Sequence, residues 1–133
     1  METIGSYLYL SKKDAVRAYN MFNLEDYSAC GRFCEQSVEK SLKAFIEIKG
    51  SVSDIGLMSI HKPRRLYERC CELGLAEADT GLALVMAKLA DYYYDTNYPG
   101  DSYFELTKEE AEEALTAMDR VNLLVRQALD KEA

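Results

Sequence analysis

The stretch Glu35-Gln36-Ser37-Val38-Glu39-Lys40-Ser41-Leu42-Lys43-Ala44 decides the fold class of this chain. Its apolar positions belong to a longer stripe at steps of three and four residues, made up of Tyr27, Cys30, Cys34, Val38, Leu42 and Phe45. That spacing predicts an amphipathic helix that buries one side and ends near Gly50, with Asn23 or Asp26 as its N-cap. We expect the other side, which carries Glu35, Glu39, Lys43 and Glu47, to be a solvated charged face.

The same patterns predict four more helices around this one. Their boundaries are Ser11 and Phe22 for the first helix, Pro63 and Gly74 for the third, Asp79 or Thr80 and Pro99 for the fourth, and the Thr107-Lys108-Glu109-Glu110 capping box for the start of the fifth. Residues 51–59 lack a clear period and are expected to form a loop. The sequence therefore predicts an all-α, up-and-down bundle of about five helices, in one domain over residues 1–133, with the second and fourth helices central.

Composition and charge exclude several classes of function. Of the 133 residues, 48% are hydrophobic and 29% are charged, as in an ordinary globular domain. The net charge of −7 repels phosphate backbones, so we do not expect a general nucleic-acid binder. The chain shows neither a signal-peptide pattern nor the run of ~20 apolar residues that a membrane span needs. We therefore expect a cytoplasmic protein without a membrane partner.

The cysteines do not form a recognisable metal motif. Cys30 and Cys34 are one helical turn apart, and Cys70 and Cys71 are adjacent, which is not the spacing of a zinc finger or ribbon. Thiols of cytoplasmic proteins stay reduced. We expect buried, inert thiols and no bound metal.

A second stretch, Tyr92-Tyr93-Tyr94-Asp95-Thr96-Asn97-Tyr98-Pro99, completes a recognisable order of fragments. It follows the helical residues Gln36, Glu39, Lys40, Leu42, Lys43 and Ala44 and the histidine His61, and it precedes a helix rich in Glu and Ala over Glu109 to Ala117. Over about Asp26 to Gln127, the chain thereby resembles the HEPN family of small helical domains, among the members that lack a ribonuclease motif. The resemblance implies a helical bundle that pairs with a second copy, and that often acts with a nucleotidyltransferase-like partner.

Two departures from the family pattern bear on activity. Ribonuclease members resemble one another in having an Arg a few residues before a His. No arginine lies a few residues before His61, which is the one histidine here. Other members resemble one another in an Arg-Tyr-Pro turn, whose arginine is replaced here by Asn97. A neutral amide cannot form the two-pronged contact by which a guanidinium binds phosphate. We therefore assign no catalytic residue and no cofactor, and we do not expect an enzyme.

Six residues are candidates for contact with a nucleotide or a partner: Lys40, His61, Tyr94, Asn97, Tyr98 and Pro99. Plainer interpretations exist for most of them. Lys40 and Lys43 would then belong to the solvated face, paired with Glu39 and Glu47, and His61 would hydrogen-bond locally at a helix start. Among the consecutive tyrosines, Tyr93 would enter the core while the others shield helix ends. One local basic patch, Lys62-Pro63-Arg64-Arg65, opens the third helix.

Three functions follow as hypotheses. The first is a non-catalytic module that acts through protein–protein contacts, as a homodimer and with a nucleotidyltransferase-like protein. In that homodimer we expect the third and fourth helices and the turn Asn97–Tyr103 to contribute. The second is a nucleotide-binding protein with its groove near Lys40, His61, Asn97 and Tyr98. The third is a ribonuclease toxin of a toxin–antitoxin pair, with a displaced active site.

Overall fold

Five α-helices and one 3-10 helix follow one another in a computed structural model of the chain, which describes residues 3–130. The α-helices are α1 (Tyr7–Asn23), α2 (Tyr27–Lys49), α3 (Pro63–Glu72), α4 (Thr80–Asp95) and α5 (Lys108–Asp130), and the 3-10 helix spans Val52–Ser59. Residues 3–130 contain no strand, so the predicted all-α bundle of five helices is confirmed. The expected domain limits, residues 1 and 133, lie outside the described residues.

Local side-chain chemistry sets the helix starts that the sequence indicated. Asp26 and Asp79 each accept a hydrogen bond from the backbone N–H three residues on, at 3.1 and 3.0 Å. Thr107 and Glu110 form the predicted capping box, in which each side chain accepts the other residue's backbone N–H. Pro63 lies in the first turn of α3, where a missing N–H breaks no helical hydrogen bond.

The first helix begins earlier than the sequence suggested. It starts at Tyr7, and its N-cap is Ser6, whose hydroxyl accepts from the N–H of Tyr9 at 3.2 Å. Ser11, the expected N-cap, is a buried residue inside α1. It was misassigned because its hydroxyl serves a contact between helices, which a local capping rule does not detect.

That contact is a reciprocal serine pair between α1 and α2. The hydroxyl of Ser11 donates to the backbone carbonyl oxygen of Ser37 at 2.8 Å. The hydroxyl of Ser37 donates in turn to the backbone carbonyl oxygen of Ser11, also at 2.8 Å. The amide nitrogen of Asn122 on α5 donates to the Ser37 hydroxyl at 2.9 Å. Three helices therefore meet at one small, buried polar point.

The segment after α2 is a 3-10 helix instead of the expected loop. Its first turn is held by the carboxylate of Asp54, which accepts from the backbone N–H of Ser51 at 3.0 Å. The same carboxylate accepts two hydrogen bonds from the Arg69 guanidinium, at 2.7 and 3.2 Å. This tertiary anchor has no periodic signal in the sequence, which explains why the segment looked irregular.

The long helix α2 is the centre of the bundle, because α1, α3, α4 and α5 all pack against it. Its predicted apolar stripe is buried, and Cys34, Val38 and Leu42 are fully inside. The expected central position of α4 is not observed. α4 buries five residues and α5 buries eight, because α5 packs along α2 more extensively.

The expectation of a solvated charged face on α2 is wrong. Glu35, Glu39 and Lys43 are at most 4% exposed, and only Glu47 of that group is open to solvent. A helix with neighbours on several sides has no broad solvent face. Its charged side chains must therefore find partners inside the bundle.

The connection between α4 and α5 crosses the start of α2. Leu106 is buried, and its backbone N–H donates to the hydroxyl of Ser28 at 3.0 Å. A Cβ at Gly31 would lie 2.6 Å from a methyl group of Leu106, so glycine permits this close approach. The crossing carries the chain from Thr96 to Thr107 across one end of the bundle.

Three of the four cysteines are buried as predicted, and Cys71 is partly exposed. Burial raises the pKa of the Cys70 thiol, which keeps it protonated and unreactive. Within residues 3–130, no helix has both the length and the apolar composition needed to cross a membrane.

Candidate functional site

A buried row of ionisable side chains runs along α2 and is the most unusual feature of the interior. Glu35, Glu39 and Lys43 are spaced at i, i+4 and i+8, so they line up on one side of the helix. Lys43 Nζ donates to Oε1 of Glu39 at 2.8 Å. Lys43 and Glu39 therefore form a buried ion pair, with Glu35 one helical turn away.

His61 joins this row from outside. Its Nδ1 lies 2.6 Å from the same Oε1 of Glu39, although 22 residues separate the two in sequence. The imidazole side chain is 61% exposed, while the carboxylate that holds it is buried. The expectation that His61 hydrogen-bonds only locally is therefore wrong. A buried carboxylate that orients an exposed imidazole is an arrangement suited to proton transfer.

The pKa values of the two carboxyl groups in the row are shifted in opposite directions. Burial, followed by the hydrogen bond to Glu39, raises the pKa of Glu35 to about 9. Although burial opposes it, hydrogen bonds from Glu35, Lys43 and His61 lower the pKa of Glu39. The second oxygen of Glu39, Oε2, is buried and has no hydrogen-bond partner among residues 3–130. Neutral pH therefore leaves Glu35 as the acid and Glu39 as the carboxylate.

Lys40 directly follows Glu39 on α2, but it pairs with a different residue from those expected. Its Nζ pairs with the carboxylate of Asp14, which is buried on α1. Asp14 also accepts from Nη1 of Arg17 at 2.9 Å. The predicted pairing of Lys40 with Glu39 and Glu47 is not observed, because α1 covers this side of α2 and supplies its own acid.

A cavity of about 330 Å³ opens beside this row. Its lining residues are Asp14, Arg32, Phe33, Gln36, Tyr93 and Asn97. Gln36 connects the cavity to the row, since its amide nitrogen donates to Glu35 at 2.6 Å. Arg32 is held by Thr96, whose hydroxyl accepts from Nη1 at 2.9 Å.

The consecutive tyrosines of α4 separate into three environments. Tyr92 is the buried one, so the expectation that Tyr93 is the core tyrosine is wrong. Tyr93 is partly buried at the cavity, and burial followed by the charge of Glu35 raises its pKa. Tyr94 is half exposed and stacks on Tyr98, with ring centroids 6.4 Å apart and planes at 28°.

We call the exposed rings of Tyr94, Tyr98 and Tyr103 the tyrosine surface. Their exposed fractions are 50%, 58% and 49%. The edge of Tyr94 also meets Tyr93, with centroids 5.6 Å apart. The hydroxyl of Tyr103 donates to Glu105 at 3.0 Å. The surface is therefore aromatic and partly ordered by its own contacts.

The six candidate residues from the sequence fall into two groups. Lys40, His61 and Asn97 form the polar group. Lys40 pairs with Asp14, which lines the cavity, and His61 contacts Glu39 of the buried row. Asn97 lines the cavity together with Gln36. Tyr94 and Tyr98 form the tyrosine surface, and Pro99 is exposed in the turn beside them. The structure thus brings together two neighbouring features, one polar and one aromatic.

Sequence reasoning missed Asp14, Arg32 and Glu35 as members of the polar feature. One signal for Glu35 was available in the sequence. Glu35 and Glu39 are four residues apart on the helix that was expected to be central, and a central helix must bury part of its polar side. Asp14 carried no signal, because its role depends on how α1 packs. Within residues 3–130, no group of three His, Cys, Asp or Glu side chains is arranged to hold a metal ion.

Comparison with known proteins identifies one match. The family model described as HEPN domain matches residues 6–128, nearly the whole chain. Neither the search of curated proteins nor the search of solved structures returned a match.

Proposed function

The chain belongs to the HEPN domain family, and from this premise we propose that it is a non-catalytic module that acts through protein–protein contacts. One partner is another copy of the same chain, and the other partner is a nucleotidyltransferase-like protein. The family resemblance of the sequence supports both partners. We also assign the module to the cytoplasm.

The single observation that carries the proposal is the tyrosine surface. Three tyrosines, each about half exposed, are concentrated at one end of α4 and in the turn that follows. Aromatic side chains with polar tips are enriched at protein interfaces, where they bury a large area at little entropic cost. A patch of this kind suits an isologous contact, in which the same residues meet across a twofold axis.

The buried row supports a structural role better than a catalytic one. Glu39 is already engaged by Lys43 and His61, and Glu35 is buried one helical turn away with a raised pKa. The sequence also lacks the Arg that precedes a His by a few residues in the ribonuclease members. Both features favour a polar network that stabilises and positions elements of the bundle.

Sedimentation of the purified protein tests the homodimer directly. We expect a dimer at micromolar concentration. A monomer under those conditions would remove the homodimer from the proposal. The second partner is tested by asking whether a neighbouring reading frame encodes a nucleotidyltransferase-like protein and by co-expressing the two proteins. The absence of such a frame, or failure to co-purify, would remove this partner.

A nucleotide-binding function is the alternative that the cavity favours. Its lining combines two aromatic rings, Phe33 and Tyr93, with two amides, Gln36 and Asn97, and one guanidinium. Rings can stack on a base, and amides can hydrogen-bond its edges. A thermal-shift screen of nucleotides separates the two functions, because a ligand at 100 times its Kd adds about 2.7 kcal/mol of stability.

A ribonuclease toxin is the remaining alternative, and the His61–Glu39 pair is the observation in its favour. An imidazole oriented by a carboxylate is a competent general base. An assay for RNA cleavage separates this function from the other two.

A further inference from the structure

A groove between the start of α3 and the middle of α4 is separate from both the polar row and the tyrosine surface. Its volume is about 350 Å³. Ala87 and Ala90 of α4, both partly exposed, form its apolar floor above the fully buried Met86. The α3 side is a rim of three cations, Lys62, Arg64 and Arg65, with one acid, Glu68. We call this feature the cationic groove.

The rim is available for an external partner. All three cationic residues are exposed. Arg64 has only a long contact to Glu68, at 3.7 Å, and neither Lys62 nor Arg65 forms a salt bridge with a described residue. A local cluster of three exposed cationic side chains contrasts with the net charge of −7 on the whole chain.

The chemistry of the groove selects its occupant. An apolar floor binds apolar side chains, and a cationic rim binds carboxylates beside them. An amphipathic helix presents both along one face, with apolar anchors at i, i+3 or i+4 and i+7. The volume lies at the lower end of the ~300–1,000 Å³ of small-molecule pockets, which suits a few anchoring side chains.

Single-stranded RNA fits the groove less well. Its bases bind by stacking on aromatic side chains, and the lining of this groove contains none. Three cations also offer few phosphate contacts against the repulsion of an acidic protein.

We propose that the cationic groove docks an acidic amphipathic helix of a protein partner, with its apolar residues on Ala87 and Ala90 and its carboxylates on the cations of the rim. This inference rests on the proposed function as a protein-contact module and specifies the surface and the class of partner. It assigns the heterologous contact to a different place from the tyrosine surface.

Selection from a displayed library of random peptides tests the inference with the full chain as bait. We expect the enriched peptides to combine Asp or Glu with apolar residues at helical spacing. Enrichment of basic peptides, of uncharged peptides or of none would overturn the proposal.

Variants then locate the binding site of one enriched peptide, measured by fluorescence anisotropy. Arg64→Glu with Arg65→Glu should raise its Kd by about tenfold or more, because both attractions become repulsions. Ala87→Glu should do the same by placing a charge on the floor. Lys12→Glu with Lys13→Glu is the matched control, because it makes the same change of net charge at two exposed positions of α1, and it should leave Kd within about twofold. Equal binding by the wild type and the groove variants would overturn the proposal.

Two further measurements distinguish other occupants. A labelled single-stranded RNA that binds and is lost in Arg64→Glu with Arg65→Glu would make the groove a nucleic-acid site and overturn the proposal. Sedimentation in which Ala87→Glu abolishes a wild-type homodimer would make the occupant a second copy, with the same consequence. If the wild type is monomeric but still binds the peptide through the groove, the homodimer fails while the docking site stands.

Discussion

Nδ1 of His61 lies 2.6 Å from Oε1 of Glu39, so the one imidazole of the chain is fastened to a buried carboxylate of the central helix. Because Glu39 also accepts a hydrogen bond from the buried Lys43, His61 is the exposed end of a buried network. The start of α3 and the middle of α2 are thereby connected electrostatically.

We predict that Glu35→Gln reduces the pH dependence of stability. The folded-state pKa of Glu35 is about 9 and its ordinary value is 4.5, so the folded protein holds an extra proton between those values. The stabilisation is complete below about pH 4.5 and is lost as the pH rises towards 9, with a slope of up to about 1.4 kcal/mol per pH unit. Glutamine can donate to Glu39 at every pH, so the variant should lose this slope in urea titrations.

Glu47→Gln is the matched control for that measurement, because Glu47 is on the same helix and exposed. It should keep the wild-type slope. Equal slopes for Glu35→Gln and the wild type between pH 5 and 9, a range of about four units, would show that Glu35 does not keep its proton in the folded protein.

We predict that the purified protein does not cleave RNA. The Arg–His spacing is absent from the sequence, and the acidic surface disfavours the substrate. Incubation with a labelled RNA, followed by electrophoresis, measures this. Cleavage that disappears in His61→Ala while the variant stays folded would contradict the prediction and support the ribonuclease alternative.

We predict that Tyr94→Ala combined with Tyr98→Ala weakens the homodimer by about a hundredfold or more, because interface aromatics can contribute ~2 kcal/mol each. Sedimentation equilibrium gives the dissociation constant, and circular dichroism should show unchanged helices. Leu123→Ala is the control, because Leu123 is equally exposed, at 50%, but lies on α5. A dimer that is indifferent to the tyrosine changes would move the interface elsewhere.

We predict that Leu42→Ala lowers the free energy of unfolding by ~2–5 kcal/mol, since Leu42 is fully buried on α2 and the change leaves a cavity. Ile48→Ala, on the same helix but 56% exposed, should cost no more than about 0.5 kcal/mol. Denaturant unfolding measures both. Similar costs for the two variants would mean that the buried side of α2 is misassigned.

The sequence predicted the fold because each helix carries its own apolar period and most carry a local start signal, as Asp26 and Asp79 do. The site was harder to predict because its residues meet through packing. Nothing near Asp14 or Glu39 in sequence indicates that one binds Lys40 and the other His61. Ser11 shows the same limit, since it matches a capping rule but serves another helix.

The reciprocal serine pair of Ser11 and Ser37 has a consequence for how the helices align during folding. Shifting α1 by one turn along α2 would separate both hydroxyls from their carbonyl partners, while the bond from Asn122 on α5 to Ser37 on α2 would remain. Apolar contacts tolerate such a slip, but unpaired buried polar groups cost about 1–3 kcal/mol each. The serines therefore select one register of the first hairpin from several that apolar packing alone would allow.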